Sequence, residues 1–199
     1  MSEAPKMLRS DKTMPAERLH QMLAEAYAGR LATTGPDGWP YVVPLLYVWA
    51  DDEIWVHNTA ARGHLRRNVE YEARACFEID EPGEVFAYGR FECDTSVAYR
   101  SIVLFGRLRI VDDPARKSLF FDRLMGKYAD PTWARPSGFY PRLDQVTVYA
   151  MTVERMTGKE TLLPTAQNRW PVADHSRSPT AVPPPPDSTR LSTADDGRR

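Results

Sequence analysis

The chain contains 199 residues with a mass of 22.6 kDa, and its 26 lysines and arginines nearly balance 27 aspartates and glutamates. A net charge of −1 and an isoelectric point of about 6.4 provide no general attraction to nucleic acid or to an anionic membrane. A hydrophobic content of 42% is typical of one soluble globular domain. We therefore expect no nucleic-acid partner and no membrane partner.

The sequence contains neither a membrane-spanning run nor a recognisable secretory signal. No apolar run approaches the roughly 20 residues needed to cross a bilayer, and residues 1–12 lack an apolar signal segment. These features predict a cytoplasmic protein. The two cysteines, Cys76 and Cys93, match neither a disulfide framework nor a zinc site, so free thiols are expected.

Composition divides the chain into three segments. Residues 1–13 are polar and charged and predict a flexible N-terminus, whereas residues 14–163 carry the apolar periodicity of a folded domain. Seven of the 17 prolines lie in residues 164–199, which have almost no aliphatic periodicity. Such a segment cannot bury enough surface to offset its ordering entropy, so a disordered proline-rich tail is predicted.

Within the folded domain, apolar residues spaced three and four apart first predict a helix from Pro15 to Gly29. Alternating patterns then predict six strands, at residues 30–34, 39–50, 53–58, 73–80, 96–113 and 145–156. A short helix is predicted within 59–68, and another begins at Pro114 with Asp113 as its cap. So many strands joined by tight turns predict a mainly β fold with flanking helices, closed or nearly closed into an antiparallel barrel, because closure removes exposed sheet edges.

The common catalytic motifs are absent from the sequence, which has no dinucleotide-binding, phosphate-loop, zinc-protease or nucleophile-elbow pattern. What remains is a cluster of anion-binding residue types at 56–68, VHNTAARGHLRRN, after the third predicted strand. A strand that runs into a helix N-terminus exposes unpaired N–H groups, and Thr59, Arg62 and His64 could complete a phosphate site. The alternative is a capped surface helix with solvated basic residues, with His57 as a structural histidine.

The order of these elements resembles a known family. The three-strand meander, the basic strand-to-helix junction and the strand YRSIVLFGRLRIVDDP at 99–114, followed by a helix, are similar to the FMN-binding split-barrel superfamily of pyridoxamine 5′-phosphate oxidase. Within it, the chain is most similar to the nitroimidazole-resistance (Nim-type) subgroup, and the similarity spans about residues 15–160. The resemblance implies a six-stranded antiparallel split β-barrel that binds FMN between the two subunits of a homodimer.

The resemblance also implies a set of cofactor-binding residues. At the strand-to-helix junction, which corresponds to the flavin phosphate site, the expected residues are His57, Asn58, Thr59, Arg62 and His64. On the second strand, which corresponds to the one beside the flavin ring, they are Tyr41, Val42, Val43 and Pro44. On the long strand, which corresponds to the one at the pyrimidine edge, they are Arg100 and Ser101. The oxidases have a lysine where this chain has Gly63 and His64, and a cross-strand ion pair is the alternative role for Arg100.

Two functions remain open from the sequence. The first is an FMN-dependent oxidoreductase acting on a small organic molecule, such as a nitro compound, without a metal and with no catalytic side chain assigned. Oxidation of vitamin B6 is disfavoured, because the residues after 150 have no counterpart of the arginine and histidine cluster that recognises pyridoxal phosphate. The second is a non-catalytic protein that binds flavin or haem for storage or sensing, and a deazaflavin could replace FMN in either case.

Overall fold

The computed structural model describes residues 8–89, 91–133 and 138–165. Its three helices are α1 (Ala16–Glu25), α2 (His64–Tyr71) and α3 (Pro114–Tyr128). Its seven strands are β1 (Gly29–Thr34), β2 (Pro40–Leu45), β3 (Val48–Ala50), β4 (Glu53–Thr59), β5 (Arg74–Ala87), β6 (Thr95–Val111) and β7 (Val146–Thr161). Single 3-10 turns occur at Ser10–Lys12 and Leu143–Gln145.

The seven strands form one antiparallel sheet with the order β2-β1-β5-β6-β7-β4-β3. β1 pairs with β2 from Gly29 opposite Leu45 to Thr34 opposite Pro40, and β4 pairs with β7 along its whole length. The predicted mainly β class is confirmed. The predicted count of six strands is wrong for the described residues, because the run 39–50 is divided between β2 and β3.

This division falls at Tyr47, whose side chain is fully buried and whose hydroxyl donates to the Leu23 carbonyl at 2.7 Å. The main chain of Tyr47 leaves the sheet and meets the hydroxyl of Tyr128 in α3 instead. That hydroxyl oxygen lies 3.3 Å from the Tyr47 nitrogen and 3.0 Å from its carbonyl oxygen. The same hydroxyl oxygen lies 2.8 Å from the Tyr27 carbonyl oxygen, so one side chain of α3 contacts both the segment before β1 and the break between β2 and β3.

The chain forms two compact units. Among the described residues, the first unit contains 8–80, 101–133 and 138–159, and the second contains 81–89, 91–100 and 160–165. In the first unit, α1 buries Leu19, Met22 and Leu23 in the larger core, while α3 buries Phe120 and Leu124 in a second one. Side chains alternate along β4, so Ile54 and Val56 belong to the larger core and Trp55 to the core under α3.

Tight turns lie at the two places where the sequence predicts them. Gly38 has a φ of +79° after Pro36 and Asp37, and Asp51 and Asp52 have φ values of 55° and 57° between β3 and β4. Helix α3 begins as predicted, because the Asp113 side chain accepts a hydrogen bond from the Ala115 N–H at 2.9 Å. Helix α2 lies later than predicted.

The predicted terminal segments are only partly described. Within the predicted N-terminal segment 1–13, residues 10–12 form a 3-10 turn and Thr13 pairs with Lys159. The predicted tail is described only at residues 164–165, and 166–199 lie outside the described residues. Both cysteines are free thiols, as expected.

Candidate functional site

The N-terminus of α2 is open to an anion. Strand β4 ends at Thr59, and Gly63 is the N-cap of α2 with φ −79° and ψ −167°. No side chain among the described residues caps this helix, so its first N–H groups have no intrahelical acceptor and no capping partner. A Cβ atom on Gly63 would meet no atom within 4 Å, so there is open space beside the N-cap residue.

Two of the predicted residues, Tyr41 from β2 and His64 from α2, stack on each other. Their ring centroids are 5.4 Å apart and their planes differ by 21°. Both rings line a cavity of about 280 Å³, together with Arg67 and Asn68. Asn68 is buried, and its side-chain amide donates to the Thr33 hydroxyl at 3.0 Å, which fastens α2 to β1. We call this cavity the α2 cavity.

The arginines near the α2 cavity differ in their partners. Arg62 and Arg66 both pair with Glu70, with N···O distances of 2.7 and 3.1 Å, and these two hydrogen-bonded guanidinium groups hold the pKa of Glu70 below its ordinary value. Arg67 is exposed, lines the cavity and makes no ion pair with a described residue. The Arg67 guanidinium can therefore bind an anion directly, whereas Arg62 must first break its ion pair with Glu70.

His57 does not join the α2 cavity. It lies on the face of β4 that packs under α3, with its ring centroid 5.6 Å from that of Phe120 and 5.2 Å from that of Phe121. Burial lowers its pKa below the ordinary value, so the imidazole is neutral at pH 7. Its Nδ1 atom is buried and has no hydrogen-bond partner among the described residues.

Asn58 and Thr59 complete β4 on either side of the sheet. The Asn58 side-chain oxygen accepts a hydrogen bond from the Tyr149 hydroxyl at 3.2 Å, so Asn58 already has a partner in the fold. Thr59 is exposed at the last pair of the β4–β7 ladder, opposite Val146. Of these two residues, Thr59 has the more accessible side chain at the end of the strand.

The predicted residues of β2 alternate between the two faces of the sheet. Tyr41 and Val43 are half-buried against the larger core, whereas Val42 and Pro44 are exposed. Val42 lies opposite Ala32 of β1, and Ala32 lies opposite Cys76 of β5. One row on the outer face of β2-β1-β5 is therefore uncharged, whereas in the next row Pro44 lies opposite Arg30 and Arg30 opposite Glu78.

Arg100 forms an ion pair with Glu81, which is the alternative that the sequence left open for this residue. Both side chains are about one-third exposed and belong to the second unit. Ser101, the first residue of β6 in the first unit, is half-buried. Their assignment to the pyrimidine edge of a flavin stays a prediction.

Arg67 was not among the predicted site residues, although its spacing from His64 indicates a shared helix face. Arg67 follows His64 by three residues, a spacing that places both side chains on one face of a helix. Arg62 precedes the helix, so it doesn't share that periodicity. The sequence also indicates which face of β4 carries His57. Trp55 and His57 are two residues apart on a strand, so both side chains lie on the same face of the sheet.

The α2 cavity, the N-terminus of α2 and the end of β4 that precedes it offer donors suited to the phosphate of a flavin. Uncapped helix N–H groups, the exposed hydroxyl of Thr59 and the guanidinium of Arg67 are donors suited to a phosphate. No group of three or more histidine, cysteine or acidic residues that could hold a metal occurs in the described part of the chain. No helix there is long and apolar enough to cross a membrane.

Three solved structures share this fold. A candidate 5-nitroimidazole antibiotic resistance protein from Bacteroides thetaiotaomicron is 22% identical, with 74% of this chain and 85% of that chain covered and a TM-score of 0.62. A flavocytochrome from Azotobacter vinelandii is 18% identical, with 93% and 86% covered and a TM-score of 0.65. A FAD and haem binding protein from Mycobacterium smegmatis is 20% identical, with 86% and 81% covered and a TM-score of 0.65. At these identities the likeness concerns the fold.

One seven-stranded antiparallel sheet with three helices is an architecture consistent with the split-barrel class. The model of the pyridoxamine 5′-phosphate oxidase family matches residues 15–160. The chain belongs to this family, which confirms the resemblance seen in the sequence. The comparison with curated proteins found no match.

Proposed function

We propose that this chain is an FMN-dependent oxidoreductase that acts on a small organic molecule, with nitro compounds as the substrate class. The observation that carries the proposal is the α2 cavity, where Tyr41, His64 and Arg67 meet beside an uncapped helix N-terminus. Membership of the pyridoxamine 5′-phosphate oxidase family supports the flavin, and the fold shared with a candidate nitroimidazole resistance protein supports the substrate class.

Each part of the cavity has a role in this proposal. A bound flavin supplies the electron transfer, so no side chain need act as a nucleophile. Arg67 and the first N–H groups of α2 bind the phosphate, and the Tyr41–His64 stack forms an adjoining wall. The exposed apolar side chains of Val42 and Pro44 lie along the ring and exclude water from it.

A homodimer is part of the same proposal. On the first unit, Val42 is 58% exposed, and Tyr71 and Phe105 are also exposed. Large apolar side chains that remain open to solvent, here on β2, on β6 and at the end of α2, are typical of a surface that a partner covers. A second copy of this chain packed there would close the open side of the flavin site.

Replacement of Arg67 tests the phosphate site. Arg67→Ala removes a charge-assisted contact worth about 1.5–3 kcal/mol, so the affinity for FMN should fall about ten- to a hundredfold. Affinity for riboflavin, which lacks the phosphate, should stay the same. Flavin fluorescence titration measures both, and an unchanged circular dichroism spectrum shows that the fold is intact.

Arg62→Ala is the matched comparison, because Arg62 is paired with Glu70 while Arg67 is not. We expect a smaller loss of FMN affinity for this variant than for Arg67→Ala. An equal loss of FMN and riboflavin in either variant would indicate a folding defect. Unchanged FMN affinity in both would leave these arginines as solvated charges and refute the proposed phosphate site.

The second candidate is a non-catalytic flavin- or haem-binding protein. It is favoured by the pairing of Arg62 and Arg66 with Glu70, which leaves less free positive charge for the phosphate, and by the fold shared with a flavocytochrome. The visible spectrum of the purified protein distinguishes the cofactors, because oxidised flavin absorbs at about 450 nm and haem has a Soret band. Oxidation of the bound flavin by a nitroaromatic substrate, after dithionite has reduced that flavin, would then separate catalysis from storage.

A further inference from the structure

Asn68 is a buried polar residue at the point where the walls of the α2 cavity meet. Its side chain is 4% exposed, and Thr33 of β1, which accepts the hydrogen bond from its amide, is 3% exposed. The distance of 3.0 Å between Asn68 Nδ2 and Thr33 Oγ1 is that of a well-formed hydrogen bond. A buried amide keeps its desolvation cost if it loses its partner, so this bond restricts where Asn68 can lie.

The hydrogen bond of Asn68 gives α2 a defined position on the sheet. The other buried side chains of the helix, Leu65 and Val69, belong to the larger core and contact it through apolar surfaces, which attract without a preferred direction. His64 precedes Asn68 by four residues and shares its helix face, and Arg67 directly precedes it. Since all three line the α2 cavity, the bond that sets the rotation of α2 also sets where the His64 ring and the Arg67 guanidinium lie.

Asn68 also lies against the turn that follows β1. A Cβ atom on Gly35 would be 2.8 Å from the Asn68 Oδ1 atom, so the glycine allows this turn to approach the amide closely. The same turn supplies Pro36, Asp37 and Trp39 to the wall of the α2 cavity. One buried amide therefore lies beside the helix, the strand and the turn that together shape the cavity.

We propose that the hydrogen bond between Asn68 and Thr33 positions Arg67 and the first N–H groups of α2 to bind the flavin phosphate. Asn68 is a positioning residue, because it acts through the placement of α2 and not through contact with the phosphate. The inference rests on the proposed function, since it concerns how that phosphate site is held in place. Thr33 does not line the described wall of the α2 cavity, so a change at Thr33 alters the bond without removing an atom from the wall.

Thr33→Val and Thr33→Ser separate the hydrogen bond from the shape of the side chain. Valine has the shape of threonine without its hydroxyl, so Asn68 loses its acceptor, whereas serine keeps the hydroxyl. The measurement is the ratio of FMN affinity to riboflavin affinity, from flavin fluorescence titrations of the full-length protein. We expect Thr33→Val to lower this ratio about three- to tenfold and Thr33→Ser to keep it near the value of the parent.

Asn68→Ala tests whether the effect passes through the amide. This variant should lower the same ratio at least as much as Thr33→Val does. The double variant Asn68→Ala/Thr33→Val should show no further fall, because both substitutions remove the same hydrogen bond. A further fall would show that Thr33 acts by another route and would overturn the inference.

Tyr128→Phe is the control for a loss of stability alone. It removes the hydrogen bonds of a hydroxyl on α3 and none of those of Asn68, so it should keep the affinity ratio of the parent. An unchanged ratio in Thr33→Val, or an equal fall in Tyr128→Phe, would overturn the positioning role and leave the phosphate site in place. A parent that binds FMN no more tightly than riboflavin would overturn both the phosphate site and this inference.

Discussion

Lys127 is a positive charge held against aromatic rings. Its Nζ atom lies 3.8 Å from the ring centroid of Tyr47 and 5.3 Å from that of Tyr128. The atom is buried and makes no hydrogen bond to a described residue. Burial disfavours the charged form and lowers the pKa of Lys127 to about 8.

This shift predicts how stability depends on pH. Between about pH 8 and 10.5, the folded protein has released the Lys127 proton while the unfolded chain still binds it, so the free energy of unfolding rises with pH. Below pH 8 both states are protonated, and the desolvation cost is present in full. Lys127→Met should therefore show a flatter rise than the parent between pH 8 and 10.

Urea unfolding midpoints at pH 7, 8, 9 and 10 measure the difference between the two proteins. Other groups with raised pKa values, such as Cys76 and Tyr128, act in both proteins and cancel in this difference. Parallel pH profiles for parent and variant would show that Lys127 does not titrate in this range.

The candidate site shows what residue-level sequence reasoning can and cannot find. It found Tyr41 and His64, which the fold brings together across 23 positions, only through the family resemblance. It favoured Arg62 over Arg67 because Arg62 matches the family's phosphate-binding cluster, and the ion pair of Arg62 with Glu70 has no signature in residue spacing. Partners chosen by tertiary packing are invisible to a one-dimensional pattern.

Among the secondary-structure elements, those governed by local rules were predicted closely. Strands β1 and β4 and the capped start of α3 match the sequence pattern within about a residue. Strand β5 extends seven residues past its predicted end, through Pro82 and Gly83, which usually interrupt strands. A Cβ at Gly83 would lie 3.0 Å from the Ala98 carbonyl oxygen, so close approach of β6 explains this glycine.

Helix α3 stabilises the break between β2 and β3 through the Tyr128 hydroxyl. Tyr128→Phe removes this group and with it the contacts to the Tyr47 N–H, the Tyr47 carbonyl and the Tyr27 carbonyl. We expect a loss of about 1–3 kcal/mol in the free energy of unfolding, because the hydrogen bonds of this hydroxyl are lost and nothing replaces it. Chemical denaturation measures this loss.

Tyr71→Phe is the control for this prediction. Tyr71 ends α2 with an exposed side chain, and its hydroxyl has no hydrogen-bond partner among the described residues. Its removal should change stability by less than about 0.5 kcal/mol. Similar losses in the two variants would show that the contacts of the Tyr128 hydroxyl contribute nothing specific.

At the level of the whole molecule, the proposed homodimer predicts the effect of a charge on the outer sheet face. Val42→Asp places a carboxylate where a partner would bury an apolar side chain, so the variant should be a monomer. Light scattering of the parent should give about twice 22.6 kDa, and of the variant about 22.6 kDa. FMN affinity should fall with the loss of the dimer.

Leu119→Asp provides the comparison, because Leu119 is an exposed apolar residue on α3. It should retain the parent's mass and its FMN affinity. A monomeric parent, or a dimeric Val42→Asp protein, would contradict the assignment of this face as the subunit interface.

The Glu70 carboxylate competes with the proposed phosphate for the guanidinium of Arg62. Because its carboxylate is shared by Arg62 and Arg66, an incoming dianion that recruits Arg62 exchanges one anionic partner for another and leaves Glu70 with Arg66. Such an exchange conserves the number of ion pairs, so added salt should weaken it little. Contact with Arg67 creates a new ion pair, which dissolved ions screen. The ionic-strength dependence of FMN affinity therefore reports which arginine meets the phosphate, without any substitution in the chain.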